Sequence, residues 1–119
     1  MDKAEYQSRL EELNSLVKKE DYEGALAVVE AVDWRRVKSL RTLGMVADVY
    51  EANKRYPEAK KILLMAYDRS SIGKGILYRL VEVSVKMKDF DEAIDFYNEF
   101  EAVARHDNSC LLYTSDAAD

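Results

Sequence analysis

Apolar and polar residues follow one another along this chain with a helical period, and the pattern recurs at a fixed interval. In the central stretch Leu43, Val46, Ala47 and Tyr50 fall at i, i+3, i+4 and i+7, which places their side chains on one face of an α-helix. Ala59, Leu63 and Ala66 resume the pattern after a break at residues 54–56, so the stretch reads as two helices joined by a tight turn. Leu77, Leu80, Val81 and Ser84, then Ala93, Tyr97 and Phe100, predict a later pair. Leu13, Leu16, Ala25, Val29 and Val32 predict an earlier one.

The segments DYEGALAVVEAV, RYPEAKKILLMAY and DFDEAIDFYNEF overlay without gaps. Tyr22, Tyr56 and Phe90 coincide, as do Ala25, Ala59 and Ala93, and both intervals are 34 residues. A constant interval of this size marks a supersecondary unit repeated along the chain, each copy covering the apolar face of its neighbour. Tyr22, Tyr50 and Tyr56 recur at repeat positions and read as core. Tyr78 does not recur and reads as a contact residue.

Local signals place the boundaries. Pro57 sits in a first helical turn, where its missing N–H costs nothing, and Asp89 followed by Glu92 has the form of a capping box. Asp33 is expected to cap a helix beginning near Trp34 or Arg35, and Ser70, Ser71, Gly73 and Gly75 to break the pattern between the second and third pairs. Six helices follow, at roughly residues 3–18, 22–32, 35–53, 57–69, 73–88 and 90–105. Trp34, at an inter-helix turn, is expected to pack its ring against the neighbouring repeat with its N–H near solvent.

The offsets of Leu43, Val46, Ala47, Tyr50, Tyr56, Ala59, Leu63 and Ala66 within a 34-residue unit resemble those of a tetratricopeptide repeat. The resemblance spans residues 6 to about 107 as repeats at about 6–39, 40–73 and 74–107, within a helical domain of residues 1–109. It departs from the family where Arg9 and Glu12 replace large apolar residues, where Phe100 replaces a small one, and where Val37, Ser71 and Arg105 stand at the usual closing proline. It implies an all-α fold, a right-handed α-solenoid of three helix pairs, similar to tetratricopeptide proteins of bacterial type.

A fourth repeat is due near Asn108, but CLLYTSDAAD carries no helical stripe. These ten residues translate TGT CTC TTA TAC ACA TCT GAC GCT GCC GAC, a string resembling the transposase mosaic-end adapter of sequencing libraries. The expectation is that residues 110–119 are not native and that the gene is cut near residue 109, which removes Cys110, Asp116 and Asp119 from consideration. The apolar flank of the third pair, with Phe96, Phe100 and Val103, is then expected to lack its cover and to favour a non-biological self-association.

Composition narrows the function classes. The 119 residues include 34% charged and 48% hydrophobic positions and a single proline, as in a soluble helix-rich chain. The formal charge of -5 argues against a nucleic-acid partner. The start is charged from residue 2, and no run approaches the roughly 20 apolar residues of a membrane span, so the expected address is cytoplasmic.

Enzyme motifs are not assembled. His106 is the single histidine, which rules out a paired-histidine metal site within one chain; no Ser-His-Asp relay is assigned to it, and it reads as a polar residue in an inter-repeat turn. The Gly-Lys of SSIGKGILY fails as a phosphate loop, because Asp68 stands at the first glycine and Gly75 at the magnesium-binding hydroxyl. No catalytic, cofactor-binding or metal-binding residue is assigned.

The resemblance instead implies a partner-binding groove lined by the first helix of each pair. Carried onto this chain, its residues are Asn14 and Lys18, then Arg41, Met45, Asp48 and Glu51, then Tyr78, Arg79, Glu82 and Lys86. Their mixed charge suits a protein or peptide held by several hydrogen bonds and ion pairs. The family's carboxylate clamp for chaperone tails is incomplete, since only Asn14 and Arg79 match and Leu10, Met45 and Gly75 replace polar or basic residues. The expected function is therefore a non-enzymatic binding scaffold, with the alternative that the array is the adaptor portion of a larger enzyme or regulatory protein.

Overall fold

The structure, a computed structural model, describes residues 2–70 and 73–115, with side chains through 105. Among the described residues the regular elements are six α-helices: α1 (Lys3–Lys18), α2 (Tyr22–Glu30), α3 (Leu40–Ala52), α4 (Tyr56–Arg69), α5 (Lys74–Lys86) and α6 (Phe90–Ser115). Short acceptors start four of them. Asp2 accepts from the Glu5 N–H at 2.8 Å, Asp21 from Gly24 at 3.0 Å, Ser39 from Thr42 at 3.2 Å and Asp89 from Glu92 at 3.3 Å. Each satisfies an amide that has no partner within its own helix. Pro57 lies in the first turn of α4, as its fixed φ favours.

The turns inside the three pairs are copies of one another. Glu20, Lys54 and Lys88 have φ of 60°, 59° and 62°, and each donates its N–H at 2.9 Å to the carbonyl three residues back, on Val17, Glu51 and Val85. The next N–H closes the larger ring, from Asp21 to Leu16 at 2.9 Å, Arg55 to Tyr50 at 2.8 Å and Asp89 to Ser84 at 2.9 Å. This double closure is a Schellman motif, which satisfies the last carbonyls of one helix while reversing the chain into the next. The backbone therefore repeats at the same 34-residue interval as the apolar pattern.

The boundaries differ from expectation most at the start of α3 and the end of α6, and by two residues at the ends of α2 and α5. α2 ends at Glu30, because Ala31 and Val32 donate to Val28 and Val29 at 3.1 and 3.4 Å in a tightened last turn. α3 begins at Leu40 rather than near 35. The Asp33 carboxylate accepts from the Arg35 N–H two residues on, at 3.0 Å, which closes a local turn and leaves the capping role to Ser39. α6 extends to Ser115, since no glycine or proline interrupts it and each added residue gains a backbone hydrogen bond. His106 consequently lies in a helix and not in a turn, and residues 110–115 of the expected non-native tail are helical. Asp116 and Asp119 of that tail, like Ser71 of the expected break, lie outside the described residues. Gly73 takes φ of 72° just before α5, whereas Gly75 sits exposed within that helix.

The chain forms two compact units, Met1–Arg69 with α1–α4 and Ser70–Asp119 with α5 and α6. In the first, α2 lies against both α1 and α3, and α3 against α4. Its core holds Leu13, Ala25, Val29, Leu43, Val46, Ala47, Ala59 and Leu63, all fully buried. In the second, α5 packs on α6 over Leu77, Leu80, Val83 and Ala93. Tyr50 is buried, while Tyr22 and Tyr56 are only half-buried.

The face of α6 is rotated from the expected one. Ala93 is buried and Phe96, Phe100 and Val103 are half-buried, so the inward arc runs through these positions and Tyr97 falls outside it, 47% exposed. Phe100 is flanked by the rings of Tyr78 at 5.7 Å and Tyr97 at 6.3 Å. The exposed apolar stripe of α6 is Phe90, Ile94 and Tyr97, at i, i+4 and i+7.

Candidate functional site

The residues expected to meet a partner occupy exposed arcs of α1, α3 and α5. On α1, Asn14 and Lys18 are four apart and exposed. On α3, Arg41, Met45 and Asp48 share a face opposite the buried Leu43, Val46, Ala47 and Tyr50; Arg41 and Asp48 are exposed and Met45 is half-buried. Glu51 stands at the edge of that face and is half-buried. The second unit carries its own set on α5, where Tyr78, Glu82 and Lys86 are exposed and Arg79 is half-buried. The α3 and α5 arcs mix acids and bases with one larger side chain, Met45 or Tyr78, while the α1 arc holds an amide and a base, groups that make hydrogen bonds and ion pairs.

A second site lies where the helical pattern gives out, between α2 and α3. Residues 31–39 form a fixed loop. The Trp34 indole N–H donates to the Val29 carbonyl at 2.8 Å in the interior, and its ring meets Tyr6 of α1 edge-on, 6.2 Å between centroids at 68°. Trp34 is only 5% exposed, so its N–H is satisfied by protein and not by solvent, contrary to expectation. Val32 is buried, the Val37 N–H donates to Trp34 at 3.0 Å, and the Arg69 guanidinium at the end of α4 donates to the Arg35 carbonyl.

This loop and the start of α1 line an open cleft of about 980 Å³. Tyr6, Val32 and Val37 give it apolar surface, and Lys3, Arg35, Arg36 and Lys38 give it four cations against Asp2 and Asp33. Both acids are engaged locally: Asp2 caps α1, and Asp33 takes the Arg35 guanidinium at 2.7 Å. The Arg35 side chain, then its backbone N–H, hold the Asp33 carboxyl well below the usual range. With the folded value depressed, the pair's contribution is complete above the unfolded value near pH ~4 and is lost only as pH falls through the folded one. Asp33 therefore stays ionised throughout the physiological range.

The only advance sign of this cleft is the run DWRRVKS, three cations in four positions, which periodicity assigns to the start of a helix. A smaller cavity of about 510 Å³ lies between the first two helix-pair turns, lined by Glu20, Asp21, Tyr22, Glu23, Ala52, Asn53 and Lys54. In its wall Asn53 donates to the carbonyls of Tyr22 at 2.9 Å and Val49 at 2.8 Å, which ties the two turns together. Among the described residues no group of three or more His, Cys, Asp or Glu is placed to hold a metal ion, and no helix is long and apolar enough to cross a membrane. No protein-family model matches the chain, and no curated protein matches it either.

Proposed function

We propose that this chain is a non-enzymatic binding scaffold of the tetratricopeptide type, a right-handed α-solenoid whose first helices present a polar face to a protein or peptide. The observation that carries the reading is the agreement of the apolar period with that of the turns. The apolar pattern and the left-handed turn residues Glu20, Lys54 and Lys88 recur at the same 34-residue interval. A buried repeat core leaves the outward arcs of α1, α3 and α5 for recognition, and their mixed charge favours a peptide over a nucleic acid or a membrane.

Affinity capture with the intact protein, followed by quantification of recovered partners, tests this. Reversal of charge at Arg41 and Arg79 is expected to reduce recovery several-fold, because each removes a donor from a polar recognition surface. Unchanged recovery from the double variant R41E/R79E would refute the assignment of these faces.

A further inference from the structure

We propose that the cleft between the α2–α3 loop and the start of α1 is a second binding site, for a short peptide segment in which acidic and apolar residues alternate. It rests on the first unit alone and is independent of the role proposed for the helical arcs.

The charge balance points to an anion. Asp33 is paired with Arg35 and also lies within electrostatic reach of Arg36, and Asp2 caps α1 with its charge retained, so the lining sets four cations, Lys3, Arg35, Arg36 and Lys38, against two carboxylates. The lining is therefore net positive on a chain whose formal charge is -5. Such a local reversal of sign is attractive to a few negative charges at short range, within a Debye length of about 8 Å at physiological salt.

The apolar lining selects the kind of anion. Tyr6, Val32 and Val37 line the cleft beside the cations. A volume of about 980 Å³ far exceeds a single carboxylate or phosphate and accommodates several residues of extended chain. An extended peptide points successive side chains to opposite sides, so alternating acidic and apolar residues meet the cations and the apolar wall separately. A nucleic acid fits less well, since its backbone demands an extended basic stripe and meets here a short cluster on an acidic chain.

The cleft is also built in advance. Trp34, buried and hydrogen-bonded to Val29, and Arg69, donating to Arg35, pin the loop from two sides. A ligand therefore need not pay to order it.

The probe is a fluorescein-labelled hexapeptide of alternating glutamate and leucine, followed by fluorescence anisotropy with the full chain at low salt. Saturable binding is expected, weakened about tenfold in R36E/K38E and by a few-fold in the neutral R36Q/K38Q. The control K19E/K61E makes the same change in net charge at exposed positions outside the cleft and the helical arcs, and is expected to retain affinity within about twofold. Circular dichroism and the fluorescence of Trp34, the single tryptophan, verify that each variant is folded. Absence of binding by the wild type, equal losses in the cleft and control variants, equal binding of a glutamine–leucine peptide, or tighter binding of a single-stranded oligonucleotide would each overturn the proposal. R41E/R79E is expected to bind this probe normally, so failure of the cleft and failure of the helical arcs are read separately.

Discussion

At the residue scale, the clearest departure from the repeat is Ser84. It occupies the position held by Leu16 and Tyr50 in the other two pairs, is fully buried, and its hydroxyl finds no hydrogen-bond partner in the structure. A buried hydroxyl without a partner loses its solvation and regains nothing. Ser84→Ala is therefore expected to stabilise the protein by about 1 kcal/mol, read as a higher midpoint in urea with an unchanged slope. A lower midpoint would mean that the hydroxyl is satisfied in solution. That Ser84 faces inward follows from its spacing to Leu77, Leu80 and Val81. That its hydroxyl is isolated depends on which groups surround it, and spacing carries no such information.

At the element scale, the three helix pairs are closed by the same turn with the wrong residue for it. Left-handed φ is cheap for glycine and costs other residues about 1–2 kcal/mol, yet Glu20, Lys54 and Lys88 hold these positions. Lys54→Gly is expected to raise stability by about 0.5–1 kcal/mol, the relief of the Cβ clash less the added freedom of the unfolded chain. Lys54→Ala gives no such gain, and thermal or urea unfolding of the two variants side by side separates the explanations. A null result for Lys54→Gly would show that the turn relaxes at little cost. The turns were legible as interruptions of the apolar pattern, but their handedness was not, because no glycine announces it. The start of α3 differs from the expected one for a related reason: Asp33 and Ser39 are both competent caps, and the choice is made by Trp34, which turns inward, and by Arg69, thirty-four residues beyond Arg35.

At the scale of the whole molecule, two unlike surfaces stand out. One is the cationic cleft of the first unit. The other is the stripe of Phe90, Ile94 and Tyr97 on α6, exposed by 56%, 57% and 47%. Contiguous apolar side chains at helical spacing favour association, so the protein is expected to show concentration-dependent sedimentation that Ile94→Glu diminishes. A wild-type monomer at high concentration would contradict this. The stripe differs from the one anticipated at Phe96, Phe100 and Val103, since the contact of α5 with α6 sets the rotation of α6 and half-buries those residues.

The sequence by itself determined the all-helical class, the number of helices, the 34-residue interval and most of the core, because these follow from local periodicity that each segment carries alone. It also marked the polar arcs of α1, α3 and α5, since the outward face is the complement of a legible inward one. Only the tertiary structure decided the handed turns, the true start of α3, the inward seat of Trp34 and the cleft beneath the Arg-Arg-Val-Lys run. Each of these depends on a contact between residues distant along the chain or on a backbone angle, and neither leaves a period for a sequence to display.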